Sequence, residues 1–348
     1  MKRFASVVSI VIICVMIATL FGAAPAQADG KLRVFVQFAP GQKAAVEKAL
    51  NAAGAEFHYT FDELNTFTVS LPEAALKGLS RNPNVVLIEE DALRAPIGIM
   101  PSSVQAVDAG QTVPYGIDMV QARDVWDANR DGTIDTGAPT GAGIKICIID
   151  SGFYKWHEDF QGITVDGYAG NLPWDTDGFG HGSHVAGTIT AMNNALGVVG
   201  VTPGTASLYI VRVFGDDGAW AYSSTLVDAT NRCKSAGAKI ISMSLGGAKS
   251  SRTEITAFNN LYTAGILSIA AAGNEGTSAN NYPASYTTVV SVAAIDSNMV
   301  VADFSQYNAQ VELAAPGVAV LSTLPYISEG SVVVGGVTYT ALPMEGSL

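Results

Sequence analysis

Apolar and polar positions divide the chain into stretches of different rhythm. Residues 7–21 are almost uniformly apolar. From Lys31 to Asp91 the period changes every few residues. LRVFVQF (32–38) alternates like a half-buried strand, and AAVEKALNAAG places apolar residues at helical spacing before a glycine stop. TFTVSLP and NVVLIEED predict two more strands with a short helix between them (73–79). The predicted order is β-α-β-α-β over roughly 60 residues, a small α+β sheet with helices on one side. APIGIMPSSVQAVDAGQT (95–112) has little periodicity and is rich in Pro, Gly and Ser, which predicts an exposed linker.

Beyond the linker come near-continuous apolar runs: IKICIID (144–150), SLYIVRVF (207–214), AKIISMSLG (238–246), ILSIAAAG (266–273) and TTVVSVAAI (287–295). Strands buried on both faces read this way. Stretches between them, such as SSTLVDATNRCKSAG and RTEITAFNNLYTAG, carry helical patterning and end in glycine. The expected fold is therefore α/β, a parallel sheet with crossover helices, whose chemistry collects at the carboxyl ends of the strands.

Composition sharpens this picture in three places. The 348 residues are 48% hydrophobic and 14% charged, which excludes a mainly disordered chain and suits two domains. Part of the hydropathy belongs to the amino terminus, where Lys2 and Arg3 precede the apolar run and Ala26-Gln27-Ala28 closes it. That is the layout of a secretory signal, and the run is shorter than the ~20 residues that span a bilayer. A soluble exported protein is expected. The net charge of −12 offers no footprint for a nucleic-acid backbone. Cys14 leaves with the signal, so Cys147 and Cys233 remain in an oxidising compartment, as one disulfide or as two buried thiols.

Three strand ends carry unusual polar residues. Asp150 closes the first long run in IIDSG, GFGHGSHVAGTI sets His181 and His184 at a helix start, and AAAGNEG places Asn274 in a turn. A carboxylate that orients a histidine, a histidine that works as general base near neutral pH, and an amide that donates to a developing oxyanion are parts of an acyl-transfer site.

DSG at Asp150, HGSHVAGTI at His181, SMSLGG (242–247) and AAAGNEG around Asn274 resemble, in matching order, the subtilisin-like serine proteases. The resemblance implies a subtilisin-like parallel sheet flanked by helices, incomplete here, preceded by a ferredoxin-like inhibitory propeptide. It implies a signal over residues 1–28, a propeptide and linker over 29–109, and a catalytic domain from 110 to 348. Asp150 would orient the imidazole, His181 would be general base and then acid, and Asn274 would serve the oxyanion. Ser244, Leu245 and Gly246 would form one edge of a peptide cleft, and the Gly218 to Tyr222 loop, with Gly218, Ala219 and Trp220, the other, clamping an extended substrate by strand addition. His184 reads as a packing residue. Proteinase K-like relatives within the family bridge elements corresponding to those of Cys147 and Cys233, which implies a disulfide.

Calcium enters through the same resemblance. MNNALGVVGV resembles the family's strong calcium loop, with the Asn194 side chain and the carbonyls of Met192, Leu196 and Val198 as ligands, and Asp159 and Gln111 as the remote pair. The match sets the maturation cut after Ala109. Independently, DANRDGTID offers Asp127, Asn129, Asp131, the Thr133 carbonyl and Asp135 at the alternate positions of an EF-hand loop, with Gly132 at its turn and Ala138 where the twelfth-position Glu belongs. Residues 110–348 carry 21 Asp and Glu against 10 Lys and Arg, and several of these acids are candidate ligands.

The chain departs from the family at the nucleophile. A GTSMA-type segment opening a helix is expected after APGVAVLSTLP and is not found, and Ser347 lacks its flanking residues. Tyr339 and Met344 to Ser347 resemble the run that precedes a protease-associated insertion in some members. A fragment ending before its nucleophile, inactive as given, is therefore expected; a non-catalytic peptide- or propeptide-binding protein and a stand-alone inhibitor are the alternatives. Expected partners are protein or peptide substrates and the chain's own propeptide, in a monomer, with no nucleic acid and no membrane after signal removal.

Overall fold

The computed structural model describes residues 30–98, 110–325, 331–334 and 337–340, the last two as backbone strands. The signal segment, the cut after Ala109 and the run from Met344 to Ser347 lie outside the described residues. Chain contacts divide the protein into two units, Asn65–Glu90 with the residues up to Thr60, and Phe61–Leu64 with Asp91 onward.

In the first unit, β1 (Lys31–Phe38), α1 (Lys43–Ala52), β2 (Glu56–Phe61), β3 (Thr66–Pro72), α2 (Glu73–Leu79) and β4 (Val85–Glu90) follow in order. Antiparallel pairing of β1 with β3 sets Val36 opposite Phe67 and Val34 opposite Val69, so alternate residues of both strands share one face. Val46 and Leu50, one helical turn apart on α1, close over that face. Gly54, with φ +74°, supplies the left-handed turn that ends the helix region. The sheet order is β2-β3-β1-β4, a ferredoxin-like β-α-β-β-α-β arrangement. The expected β-α-β-α-β order omits β2. Phe57, Tyr59 and Phe61 do alternate with Glu56, His58 and Thr60, but as an outer strand β2 has one neighbour and keeps a polar half.

The second unit is built on a seven-stranded sheet, order β14-β13-β12-β10-β6-β8-β7, every neighbouring pair parallel. Its strands are β6 (Lys145–Asp150), β7 (Val165–Ala169), β8 (Ser207–Arg212), β10 (Ile240–Met243), β12 (Leu267–Ala271), β13 (Val289–Ile295) and β14 (Val311–Pro316). Interior β6 shows why the runs are continuously apolar. Cys147 and Ile149 enter one core with Leu226 and Phe258, whereas Ile146 and Ile148 enter another with Phe153 and Ala186 on the opposite face. Of the helices, α3 (Tyr115–Met119) and α4 (Ala122–Trp126) are short, and α5 (His181–Thr190), α6 (Ser223–Ser235) and α7 (Arg252–Thr263) are the principal ones. Cys147 on β6 and Cys233 on α6 form a disulfide with Cα atoms 5.6 Å apart.

The structure corrects three further expectations. The outer strands β7 and β14 escaped prediction because they lie at sheet edges, where Asp166 and Gly167 or Glu312 interrupt the apolar run. The single run 238–246 is two strands: the chain leaves the large sheet after Met243, and β11 (Leu245–Gly246) joins a three-stranded sheet with β5 (Leu93–Pro96) and β9 (Ala221–Tyr222). The linker expected to be exposed from Ala95 is therefore paired over its first residues. Proline at position 96 and the absence of alternation hid a strand whose stability comes from its neighbours' backbones.

Candidate active site

Three neighbouring strands of the parallel sheet, β6, β10 and β12, share one C-terminal end, where Asp150 closes β6, Ser244 follows β10 and Asn274 lies in the turn after β12. Parallel register alone brings these distant positions together.

Asp150 is completely buried and its Oδ1 lies 2.7 Å from His181 Nδ1. The same oxygen accepts from the Ser151 amide at 2.7 Å. His181 opens α5 directly after Gly180, whose φ of +86° makes the turn into the helix. A Cβ on Gly182 would overlap the Gly152 carbonyl, so glycine there lets the helix start approach the β6 loop. Burial disfavours the imidazolium, and the Asp150 charge and hydrogen bond outweigh it, so His181 titrates above 6.5. His184, on the same helix, meets the Val320 carbonyl at 3.1 Å through Nε2, and burial holds it down at about 4. It packs, as expected.

A supporting network was not anticipated. Asp177, buried four residues before His181, accepts from Ser151 Oγ (2.9 Å), the Gly180 amide (2.9 Å), the Ser183 amide (2.8 Å) and Ser183 Oγ (2.7 Å). Ser151 Oγ in turn accepts from the Gly182 amide at 2.9 Å. These bonds pin the first turn of α5 to the residue after Asp150, and burial raises the Asp177 pKa. The signal available in the sequence was an acid closely preceding GHGSH; its partners are set by folding.

Beside the pair runs a groove already holding an extended segment. β5 pairs antiparallel with β11 on one side, Ala95 opposite Gly246, and with β9 on the other, Arg94 opposite Ala221. The Ile97 amide donates to the Ser244 carbonyl at 2.7 Å, and the Ile97 carbonyl faces His181 Nε2 at 3.2 Å. A Cβ on Gly98 would overlap that ring nitrogen. Ser244, Leu245 and Gly246 thus form one edge of the groove. On the other edge the paired residues are Ala221 and Tyr222; Gly218, Ala219 and Trp220 lead into them, with Gly218 at φ +64° against Phe179. Within the 218–222 loop, the tight turn at Gly218 postpones extended backbone until Ala221. Half-buried Asn274 follows Gly273, and both Gly273 and Gly246 back onto the Asn281 side chain, which sets the Asn274 turn beside the end of β11. Among the described residues no serine hydroxyl is bonded to His181 Nε2.

Two loops have the makings of calcium sites. Four oxygens converge on Gln111 Nε2: Met192 O (2.7 Å), Leu196 O (3.1 Å), Val198 O (3.3 Å) and Asn194 Oδ1 (3.3 Å). One NH₂ group has two hydrogens for these four acceptors. Asp159 Oδ2 accepts from the Val198 amide at 2.9 Å, while its buried Oδ1 has no partner among the described residues, and burial pushes the carboxyl up to about 7. A hard cation in place of the Gln111 amide hydrogens, with Gln111 turned to present its oxygen, would suit these oxygen donors. In the second loop, Asp127 is fully buried with Oδ1 likewise unpartnered among the described residues. Asp135 Oδ2 accepts from the Ala128 amide at 2.8 Å, Asn129 Nδ2 donates to Asp131 Oδ2 at 2.9 Å, and the Thr133 amide donates to Asp131 Oδ1 at 2.8 Å. Gly132 makes the turn at φ +81°.

A parallel α/β sheet with a carboxylate–histidine pair at its strand ends, beside a groove that binds extended backbone, defines the architecture of a peptide-handling acyl-transfer protein. Residues 141–339 match the model of the subtilase family. Subtilisin amylosacchariticus from Bacillus subtilis subsp. amylosacchariticus is 34% identical over 316 residues, covering 86% of this chain and 76% of its own. Subtilisin E from Bacillus subtilis (strain 168) is 34% identical with the same coverage. Among solved structures, the psychrophilic subtilisin-like protease Apa1 from the Antarctic psychrotroph Pseudoalteromonas sp. AS-11 is 44% identical with a TM-score of 0.56, over 66% of this chain and 52% of that one. Fervidolysin from Fervidobacterium pennivorans, a keratinolytic enzyme related to subtilisin, is 25% identical with a TM-score of 0.69, over 86% of this chain and 49% of that one. The chain spans about half the length of these two structures. It belongs to the subtilase family of subtilisin-like serine proteases.

Proposed function

We propose that the chain is the precursor of a secreted serine endopeptidase that carries the acid, base and oxyanion parts of the site but not the nucleophile. Asp150 orients His181 and stabilises its imidazolium, His181 takes the nucleophile's proton and returns it to the leaving amine, and Asn274 donates its amide to the oxyanion. The observation that carries this reading is the buried Asp150–His181 pair with a peptide carbonyl, that of Ile97, set 3.2 Å from its free nitrogen. Protein substrates bind as an added strand between β11 and β9. Residues 1–28 are the export signal, and residues 29–109 are an inhibitory propeptide and linker, cut after Ala109. Residues 91–98 act as its inhibitory tail. The mature protein is a monomer.

Casein incubated with the 348-residue chain is expected to remain intact by gel and by released-peptide assay. Hydrolysis abolished by a serine-directed phosphonate would place a nucleophile within these residues. The nucleotide sequence beyond the Leu348 codon is the companion test: a Gly-Thr-Ser-Met-Ala-type segment supports the peptidase, and an immediate stop favours a non-catalytic peptide-binding protein, which the occupied groove also suits.

Calcium is the proposed structural ion, held by Gln111, Asp159, Asn194 and the Met192, Leu196 and Val198 carbonyls, and in a second loop by Asp127, Asn129, Asp131, Thr133 and Asp135. When bound it supplies charge and cross-linking to loops otherwise left with unpartnered oxygens. Calcium at about 1,000 times its dissociation constant stabilises the folded state by about 4 kcal/mol. EDTA should therefore lower the urea midpoint of the unaltered chain clearly, and that of Asp159→Asn by less, because only the second loop still holds calcium there. Equal responses of the two proteins would remove the first site.

A further inference from the structure

Apart from buried Asp91, which accepts from the Ser224 amide at 2.8 Å and from Ser224 Oγ at 2.6 Å, the segment in the groove makes one further contact that an arbitrary peptide could not. Its pairing with β11 and β9 uses backbone groups, but the Arg94 side chain enters a closed pocket and is 1% exposed. Nε donates to Glu254 Oε1 at 3.0 Å and Nη2 to Oε2 at 2.6 Å, while Nη2 also reaches the Lys249 carbonyl at 3.0 Å and Nη1 the Leu93 carbonyl at 2.8 Å. Glu254 is itself completely buried. It lies in the first turn of α7, where its amide donates to Ser251 Oγ at 3.2 Å, and its Oε2 accepts from Tyr286 Oη at 2.7 Å. Gly247 has no side chain where the Leu93 carbonyl and the Arg94 guanidinium pass.

The carboxylate is thus prepared from the sheet side, by a helix start and a tyrosine, and completed from the groove side by a guanidinium. The guanidinium fork matches it with two parallel donors, a geometry that lysine lacks. A buried ion pair contributes little net stability compared with apolar residues of the same volume, whereas removing one partner leaves an uncompensated charge.

We propose that Glu254 is a specificity-determining residue of the groove, selecting peptides with arginine three residues before the residue whose carbonyl faces His181. Arg94, three residues before Ile97, is the chain's own occupant of that pocket. This rests on the reading of the groove as a substrate cleft and adds a substrate class to it: proteins with a basic side chain at that position.

The test uses the full chain carrying Arg94→Ala and Gly98→Val, which loosen its own segment, and fluorescein-labelled Leu-Arg-Ala-Pro-Ile peptide followed by anisotropy. The Arg peptide should bind about 100-fold tighter than Leu-Ala-Ala-Pro-Ile, the scale of deleting one partner of a buried pair, with the Lys peptide between them. Adding Glu254→Gln should reduce the discrimination to about 3-fold or less, since the charge is gone while the shape remains. Adding Glu254→Leu should transfer the preference to Leu-Leu-Ala-Pro-Ile, a gain that a misfolded protein cannot show. Equal binding of the Arg and Ala peptides overturns the specificity while the cleft stands. Failure of every peptide to bind overturns the cleft reading and the specificity with it.

Discussion

In Asp150→Asn, His181 is expected to titrate well below 6.5 instead of above it. Burial acts downward on the imidazole and the Asp150 carboxylate is the largest upward influence, with the Ile97 carbonyl and the Asp177 charge adding smaller ones. An asparagine removes the largest upward influence and leaves the burial. His184 shows where that leads, since it shares the helix, lacks a carboxylate contact and is held at about 4 by burial. The asparagine amide would also offer a donor to Nδ1 and favour the tautomer with its proton on Nε2, where the base must be free. In a protein carrying the nucleophile, such an exchange costs about 10⁴ in kcat.

Stability follows the same sign. With the folded pKa raised above the unfolded value of 6.5, the Asp150–His181 pair stabilises fully below pH 6.5, and this contribution fades as pH rises through the folded pKa. With the folded pKa lowered in the variant, the unfolded chain binds the extra proton, so stability rises with pH between the folded pKa and 6.5 and levels off above it. NMR titration of the His181 ring proton, with urea unfolding at acid and alkaline pH, reads both effects. An unmoved His181 titration in the variant would show that Asp150 does not govern the imidazole.

The second large effect is expected at the disulfide. Cys147 and Cys233 are fully buried, lie in the core shared by β6, α6 and α7, and close a chain separation of 86 residues. By loop entropy such a link is worth on the order of 4 kcal/mol. Replacing both cysteines by alanine keeps the site apolar and removes the link. It should lower the thermal midpoint by about 10 °C, at the 2–4 °C per kcal/mol usual for a unit of this size. Denaturation with and without a reductant checks it in the unaltered protein. Coincident curves, with both thiols titrated as free, would show that the link contributes nothing.

The sequence was most readable where burial is symmetrical or local. Runs such as IKICIID announce strands covered on both faces, because the side chains of β6 must serve two cores at once. Glycines that follow helices, such as Gly54, Gly237 and Gly265, mark left-handed turns that other residues resist. Edge elements were unevenly readable: NVVLIEED announced β4, which also has one neighbour, while others stayed hidden. β2, β7 and β14 have one neighbour each, and β5 carries a proline and no alternation, since its partners supply the hydrogen bonds and its one buried side chain is an arginine.

For the site, the sequence by itself determined the kinds of groups and their order along the chain: an acid after a buried strand, a histidine at a glycine-rich helix start, an amide in a turn. These depend on short segments whose local geometry is encoded by their own glycines and apolar runs. Only the tertiary structure decided who meets whom. Parallel register sets the ends of β6, β10 and β12 side by side, Asp177 gathers Ser151 and Ser183 beneath His181, and Arg94 reaches Glu254 across 160 residues of chain. Such pairings carry no periodic signal, because a buried charge or hydroxyl is satisfied by whatever partner the fold delivers, and that partner's position is a property of packing.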